Sequence, residues 1–147
     1  MSIRRQQRIK DYVADVLYDV NSGGDDGAWI HRISREYKDH YLTQIKQLNF
    51  APETFCSGIE NISEILFSMR KPTRPYIIAL FIFSIELDTF YKHHYSWYTT
   101  DILIDTLVPI LLKVEFNPSY KYNRCCILYP CFLSCFILSD MYVKHTK

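Results

Sequence analysis

A chain of 147 residues is one domain's worth of sequence and long enough to bury a real core. A net charge of +1 gives no electrostatic case for nucleic acid or an acidic membrane surface, and only four glycines argue against an all-β protein built on tight turns. Met1-Ser2-Ile3-Arg4-Arg5 runs into polar residues instead of an apolar stretch, so no secretory leader is expected and the five cysteines are expected as reduced thiols.

In chain order, the hydrophobic spacing predicts five helices and no strand ladder. The first covers about Ile3 to Val20, where Ile9, Val13, Val16, Leu17 and Val20 recur at helical intervals. Asn21 to Gly27 reads as a loop by its Gly and Asp content. The second helix covers about Ala28 to Leu48, with Ile30, Ile33, Tyr37, Tyr41, Ile45 and Leu48 in one stripe; Pro52 ends it, because the residue before a proline disfavours helix. The third covers about Ser57 to Ser68, with Ser57 and Glu60 at capping-box spacing and Phe55, Ile59, Ile62 and Leu66 on one side.

The fourth helix is the most telling. Ile77 to Leu87 reads IIALFIFSIEL, apolar or small all the way round except for one acid, yet its eleven residues are about half the ~20 needed to cross a bilayer. Such a segment belongs in the middle of a protein, wrapped by other helices. Pro75 suits its first turn, and it ends near His93 and His94. The fifth helix starts at the capping residues Thr99-Thr100-Asp101 and runs to about Phe116, with a kink or division expected at Pro109. Beyond it, Cys125 to Leu138 is fourteen apolar or small residues interrupted by Pro130, short for a membrane anchor and read as a final buried helix or pair; membrane association is left open. Cys125, Cys126, Cys131 and Cys135 lie in this apolar piece without a Cys-x-x-Cys pair, so they are read as structural thiols and no metal or other cofactor is expected.

No enzyme is expected. His31, His40, His93, His94 and His145 have no Ser or Cys partner at a usable spacing, and Asp25-Asp26 lacks the distal Glu of a calcium loop. Glu86 and Asp88 fall on different helix faces and are read as solvated or core-edge groups. The twelve tyrosines are read as half-buried helix faces before any special aromatic site.

The stretch Gln47 to Phe83 resembles the Bcl-2 family of apoptosis regulators. Gln47-Leu48-Asn49-Phe50-Ala51-Pro52-Glu53-Thr54 is similar to the segment joining that family's third and fourth helices. Glu64-Ile65-Leu66-Phe67 is similar to the end of its fourth helix, and Ile77-Ile78-Ala79-Leu80-Phe81-Ile82-Phe83 to the start of its buried fifth helix. The order and spacing of the blocks carry the resemblance, and a weaker helical match covers nearly the whole chain. It departs where the family has Asn-Trp-Gly-Arg: this chain has Thr73-Arg74-Pro75-Tyr76, so Pro75 replaces the Gly and Tyr76 the Arg that pairs with a ligand Asp. Arg74 is the nearest candidate to take over that pairing. The second homology region is not recognisable, with Tyr120-Lys121-Tyr122-Asn123 its nearest remnant. A short, diverged chain of this kind looks like a homologue from a large DNA virus.

The resemblance implies an all-α, Bcl-2-like helical bundle over 1–147 that sequesters BH-3 helices of pro-apoptotic partners such as Bim, Bak or Bax. It implies residence in the host cytoplasm, including the mitochondrial outer membrane, with homodimerisation left open. Carried over by position, the groove walls are Ile33, Tyr37, Tyr41 and Ile45 on one side and Ile62, Ile65 and Leu66 on the other. The floor is Ile78, Ala79 and Phe83, with Arg74 and Tyr76 at its opening. The alternatives are that these side chains merely pack against one another, and that the chain has the same fold with a closed groove and blocks host innate-signalling adaptors through its outer surface.

Overall fold

The computed structural model describes residues 3–18, 30–32, 34–36, 38–68 and 74–116, with the backbone alone at 40, 68 and 74–76. Its elements are α1 (Ile3–Tyr18), α2 (Lys38–Leu48), α3 (Phe55–Ser68), α4 (Arg74–His94) and α5 (Thr100–Lys113). Residues 30–32 and 34–36 are helical too, and no strand occurs among the described residues. The chain is all-helical there, as its hydrophobic spacing predicts. The run Cys125 to Leu138, its cysteines and Tyr120-Lys121-Tyr122-Asn123 lie outside the described residues. No helix among the described residues is long and apolar enough to cross a membrane.

Every residue of α4 from Ile77 to Asp88 is buried. A helix without a polar side must be covered on all sides, and α1, α2, α3 and α5 each pack against it. The most extensive pairing is between α1 and α5. These two run antiparallel: the Tyr18 hydroxyl donates to Asp101 at one end, and the Tyr12 ring meets Phe116 at 5.3 Å at the other. Phe81 reaches both aromatic rings from α4, at 5.6 Å from Tyr12 and 5.8 Å from Phe116.

Local chemistry sets the helix ends, in places differently from the sequence expectation. Asn49, not Pro52, stops α2: it takes φ 48°, a left-handed conformation that Asn tolerates better than most residues. Ser57 does not cap α3, because the helix begins earlier. A turn folds Ala51 to Thr54, the Gly58 N–H donates to the Thr54 carbonyl at 2.8 Å, and the Ser57 hydroxyl only donates back to that carbonyl at 3.1 Å. Gly58 itself is needed for space, since a Cβ there would lie 2.4 Å from the Phe50 ring. At α5, Thr99 stands at the N-cap position but its side chain makes no capping hydrogen bond.

Pro109 does not divide α5. Proline cannot donate to the carbonyl one turn back, but Pro109 and Asp105 are both on the exposed side, where water can satisfy the freed group. The helix ends in a Schellman arrangement. The Phe116 N–H donates to Leu111 at 3.0 Å and the Glu115 N–H to Leu112 at 3.2 Å, with Glu115 at φ 58°.

Two stability outcomes follow. Phe81 is 1% exposed and joins α1, α4 and the end of α5, so Phe81→Ala should lower unfolding free energy by about 3–5 kcal/mol in chemical denaturation. Glu115→Gly should raise it by about 0.5–1 kcal/mol, because glycine adopts the left-handed conformation without the Cβ clash.

Candidate functional site

The three elements that carry the expected groove residues stand in a floor-and-walls relation. α2 packs on α4, and α3 packs on α4 and α5, while α2 and α3 make at most marginal contact with each other. The floor residues Ile78, Ala79 and Phe83 are buried, as the uniform apolarity of α4 requires. So are Tyr41 and Ile45 on α2 and Ile62 and Leu66 on α3. Ile65 alone among the described groove side chains is half-buried. Tyr41 therefore belongs to the core. Ile33 and Tyr37 lie outside the described residues, as do the side chains of Arg74 and Tyr76, which stand in the first turn of α4.

The structure thus brings the two walls onto one floor and fills the space with their own side chains. It does hold an open cleft of about 600 Å³, but on the other flank of α3. Glu60, Glu64 and Phe67 of α3 line it with Ile110 and Lys113 of α5 and Val114 just past its end, and no expected groove residue does.

The acids of α4 depart from the sequence expectation. Glu86 and Asp88 are not solvated; they are 6% and 3% exposed. The Ser34 hydroxyl donates to Glu86 at 2.5 Å. Burial pushes the Glu86 carboxyl above its ordinary range, and the Ser34 hydrogen bond, Lys38 and His31 oppose that shift without cancelling it. This one bond fastens the segment before α2 to the otherwise apolar helix. Asp88 accepts from the Tyr98 hydroxyl at 2.6 Å and the Thr100 hydroxyl at 2.9 Å, and pairs with Lys92 at 3.0 Å. It ties the end of α4 to the start of α5. A signal for both was present in the sequence: an acid inside an apolar helix must find hydrogen-bond partners.

Around Asp88 a second group of aromatic residues gathers where α4 ends and α5 begins. Phe55 lies 5.6 Å from Tyr91, 5.8 Å from Trp97 and 5.4 Å from Tyr98. The Phe50 N–H donates to the Tyr91 hydroxyl at 3.0 Å, which fastens the α2–α3 connection to α4. Burial raises the Tyr91 hydroxyl to about 12 and, with the charge of Asp88 beside it, raises that of Tyr98 as well. Tyr18 also rises to about 12, chiefly through its hydrogen bond to Asp101. These phenols stay protonated at neutral pH; Tyr18 and Tyr98 donate to carboxylates, whereas Tyr91 accepts from the Phe50 N–H. His93 and His94 are exposed, His94 stacking on Phe90 at 4.0 Å.

Among the described residues no group of three His, Cys, Asp or Glu side chains is placed to hold a metal ion. What the described residues place here is closely packed apolar side chains held by buried hydrogen-bond ties. No protein-family model, curated protein or solved structure matches the chain.

The Glu86 carboxyl has a definite pH signature. Its folded state favours the protonated form, so its contribution to stability is complete below the ordinary value of 4.5 and is lost as pH rises through the elevated folded value. Glu86→Gln keeps an acceptor for Ser34 and cannot ionise. Thermal melts across pH should show wild type and variant alike in acid, with the variant progressively more stable as pH rises above 4.5. A constant difference at every pH would contradict a buried, titrating Glu86.

Proposed function

We propose that the chain is a Bcl-2-like inhibitor of apoptosis, of the kind carried by large DNA viruses. It captures BH-3 helices of pro-death proteins such as Bim, Bak or Bax in an apolar groove, in the host cytoplasm or at the mitochondrial outer membrane. One observation carries this reading: α2 and α3 each lean on the buried α4 and barely on one another, so parting the two walls over the apolar floor would break few contacts between them. The sequence blocks that resemble the family support it too. Their joining segment connects α2 to α3, and their apolar block opens the buried part of α4. An amphipathic ligand helix would place apolar residues at i, i+3, i+4 and i+7 between the walls.

The burial of Tyr41, Ile45, Ile62 and Leu66 favours a second reading. In it the groove stays closed, and the outer surface of the same fold blocks innate-signalling adaptors. The two readings differ in whether a ligand helix binds well enough to hold the walls apart, since a ligand shifts such an equilibrium only by its differential affinity for the open state.

Titrating the folded chain with a panel of BH-3 peptides separates them. Binding of at least one peptide is expected, over a narrow set, because Pro75 and Tyr76 replace the Gly and Arg of the family pattern. Ile65→Glu is the informative variant: half-buried Ile65 tolerates a charge that buried Ile62 would not, so binding should weaken at least about tenfold with helical content unchanged. A folded chain that binds no peptide of the panel would leave the adaptor-blocking reading.

A further inference from the structure

The cleft between α3 and α5 is unclaimed by the groove. The two helices run side by side in the same direction: the Cys56 Sγ lies 3.2 Å from the Thr106 hydroxyl, and Phe67 shares the cleft with Val114 at the far end. Phe67, Ile110 and Val114 form the apolar part of the trough, and all three stay only partly buried. Glu60 and Glu64 stand on the α3 rim, exposed, one helical turn apart and with no ion pair among the described residues. Lys113 is the one cation among the described lining residues, so the rim keeps an excess of negative charge. Like charges at this spacing repel one another mildly, and the described residues gain nothing from them.

The described part of the chain ends beside this cleft: Lys113 and Val114 line it, and Phe116 follows directly in the turn that closes α5. The sequence that comes next has the complementary chemistry. Lys121 and Arg124 are basic, and Cys125 to Leu138 is the apolar run, short of the ~20 residues that a bilayer requires. The eight residues from Asn117 to Arg124 reach up to about 26 Å when extended. The stretch of α3 from Glu60 to Phe67 is only about 10 Å long. The tether therefore suffices to lead the apolar run back along the whole cleft.

We infer that Cys125 to Leu138 folds back into this cleft as a ligand of its own chain. Its apolar side chains cover Phe67, Ile110 and Val114, and Lys121 and Arg124 pair with Glu60 and Glu64. Removing both apolar surfaces from water supplies the driving force. The rim charges set which way the run lies, as complementary charges at an interface give specificity more than affinity. The tether makes the contact intramolecular, with an effective concentration in the mM range, so a surface too small to hold a separate molecule is still occupied. The cleft lies on the flank of α3 away from the expected groove residues, so this docking is independent of ligand capture.

The cysteines of the run are native reporters. Alkylation of the full chain by a maleimide, read residue by residue by mass spectrometry, should label Cys131 and Cys135 at least about tenfold more slowly than in the same chain unfolded in urea. Glu60→Lys with Glu64→Lys should speed their labelling severalfold, while helical content is unchanged because both positions are exposed. Adding Lys121→Glu and Arg124→Glu to that variant should restore the protection, a recovery that damage to the fold would not allow. Ile110→Asp, which spoils the apolar part of the cleft, should also expose both thiols. The inference is overturned if Cys131 and Cys135 react as fast in the unaltered chain as in urea, or if their protection survives the cleft variants. Failure of the charge-reversed rescue overturns it too. So does protection that grows with protein concentration, which would place the run on another copy, or protection seen only with phosphatidylcholine vesicles, which would place it in a membrane.

Discussion

The absence of a polar side on α4 is the constraint that organises everything else. From Ile77 to Asp88 each side chain is removed from water, and burying a large aliphatic or aromatic side chain contributes about 1.5–3 kcal/mol. The gain is realised only if neighbours cover the whole circumference. α1, α2, α3 and α5 therefore each carry one apolar stripe toward α4 and one polar side toward water. Their amphipathicity is the complement of the uniformity at the centre.

Such a core needs polar ties to select one arrangement, because apolar contacts are weakly directional. Glu86 with Ser34, and Asp88 with Tyr98, Thr100 and Lys92, supply directional contacts from the same helix. They act in different places. Glu86 holds the segment before α2, a single bond to an acid that burial makes reluctant to ionise. Asp88 is fully satisfied and locks the α4–α5 connection beneath a cluster of aromatic rings. Polar ties thus concentrate at the α4–α5 end, whereas α2 is held on α4 by extensive apolar packing and only the segment before it by the Ser34–Glu86 bond.

A groove lined by side chains that are already buried has a thermodynamic consequence. Opening it exposes Tyr41, Ile45, Ile62 and Leu66 to water, so a ligand must replace those contacts with at least equal apolar area before any affinity is measured. This favours ligands with well-placed large apolar residues and disfavours those that depend on a single ion pair. Under the proposed function, this would give a physical reason for narrow selectivity in a chain that has Pro75 and Tyr76 where the pattern it resembles has Gly and Arg.

Periodicity and composition alone determined the helical class, the central place of Ile77 to Leu87 and the stripes of α1 and α3, because removing apolar area from water is set by which residues recur at which spacing. The ends were less legible. Asn49 stops α2 through a left-handed backbone, and Pro109 stays inside α5 because its missing hydrogen bond faces water; both depend on which side of the helix meets solvent. The groove residues were legible as apolar helix positions, but not as wall or as core. Tyr41, Ile45, Ile62 and Leu66 have the same spacing in either case, and only the approach of α2 and α3 to α4 decided that they are covered. The long-range ties of Glu86 to Ser34 and of Asp88 to Tyr98 and Thr100 also belong to the tertiary structure. The sequence shows that a buried acid needs a partner; which hydroxyl stands within hydrogen-bond reach is set by how separate helices dock.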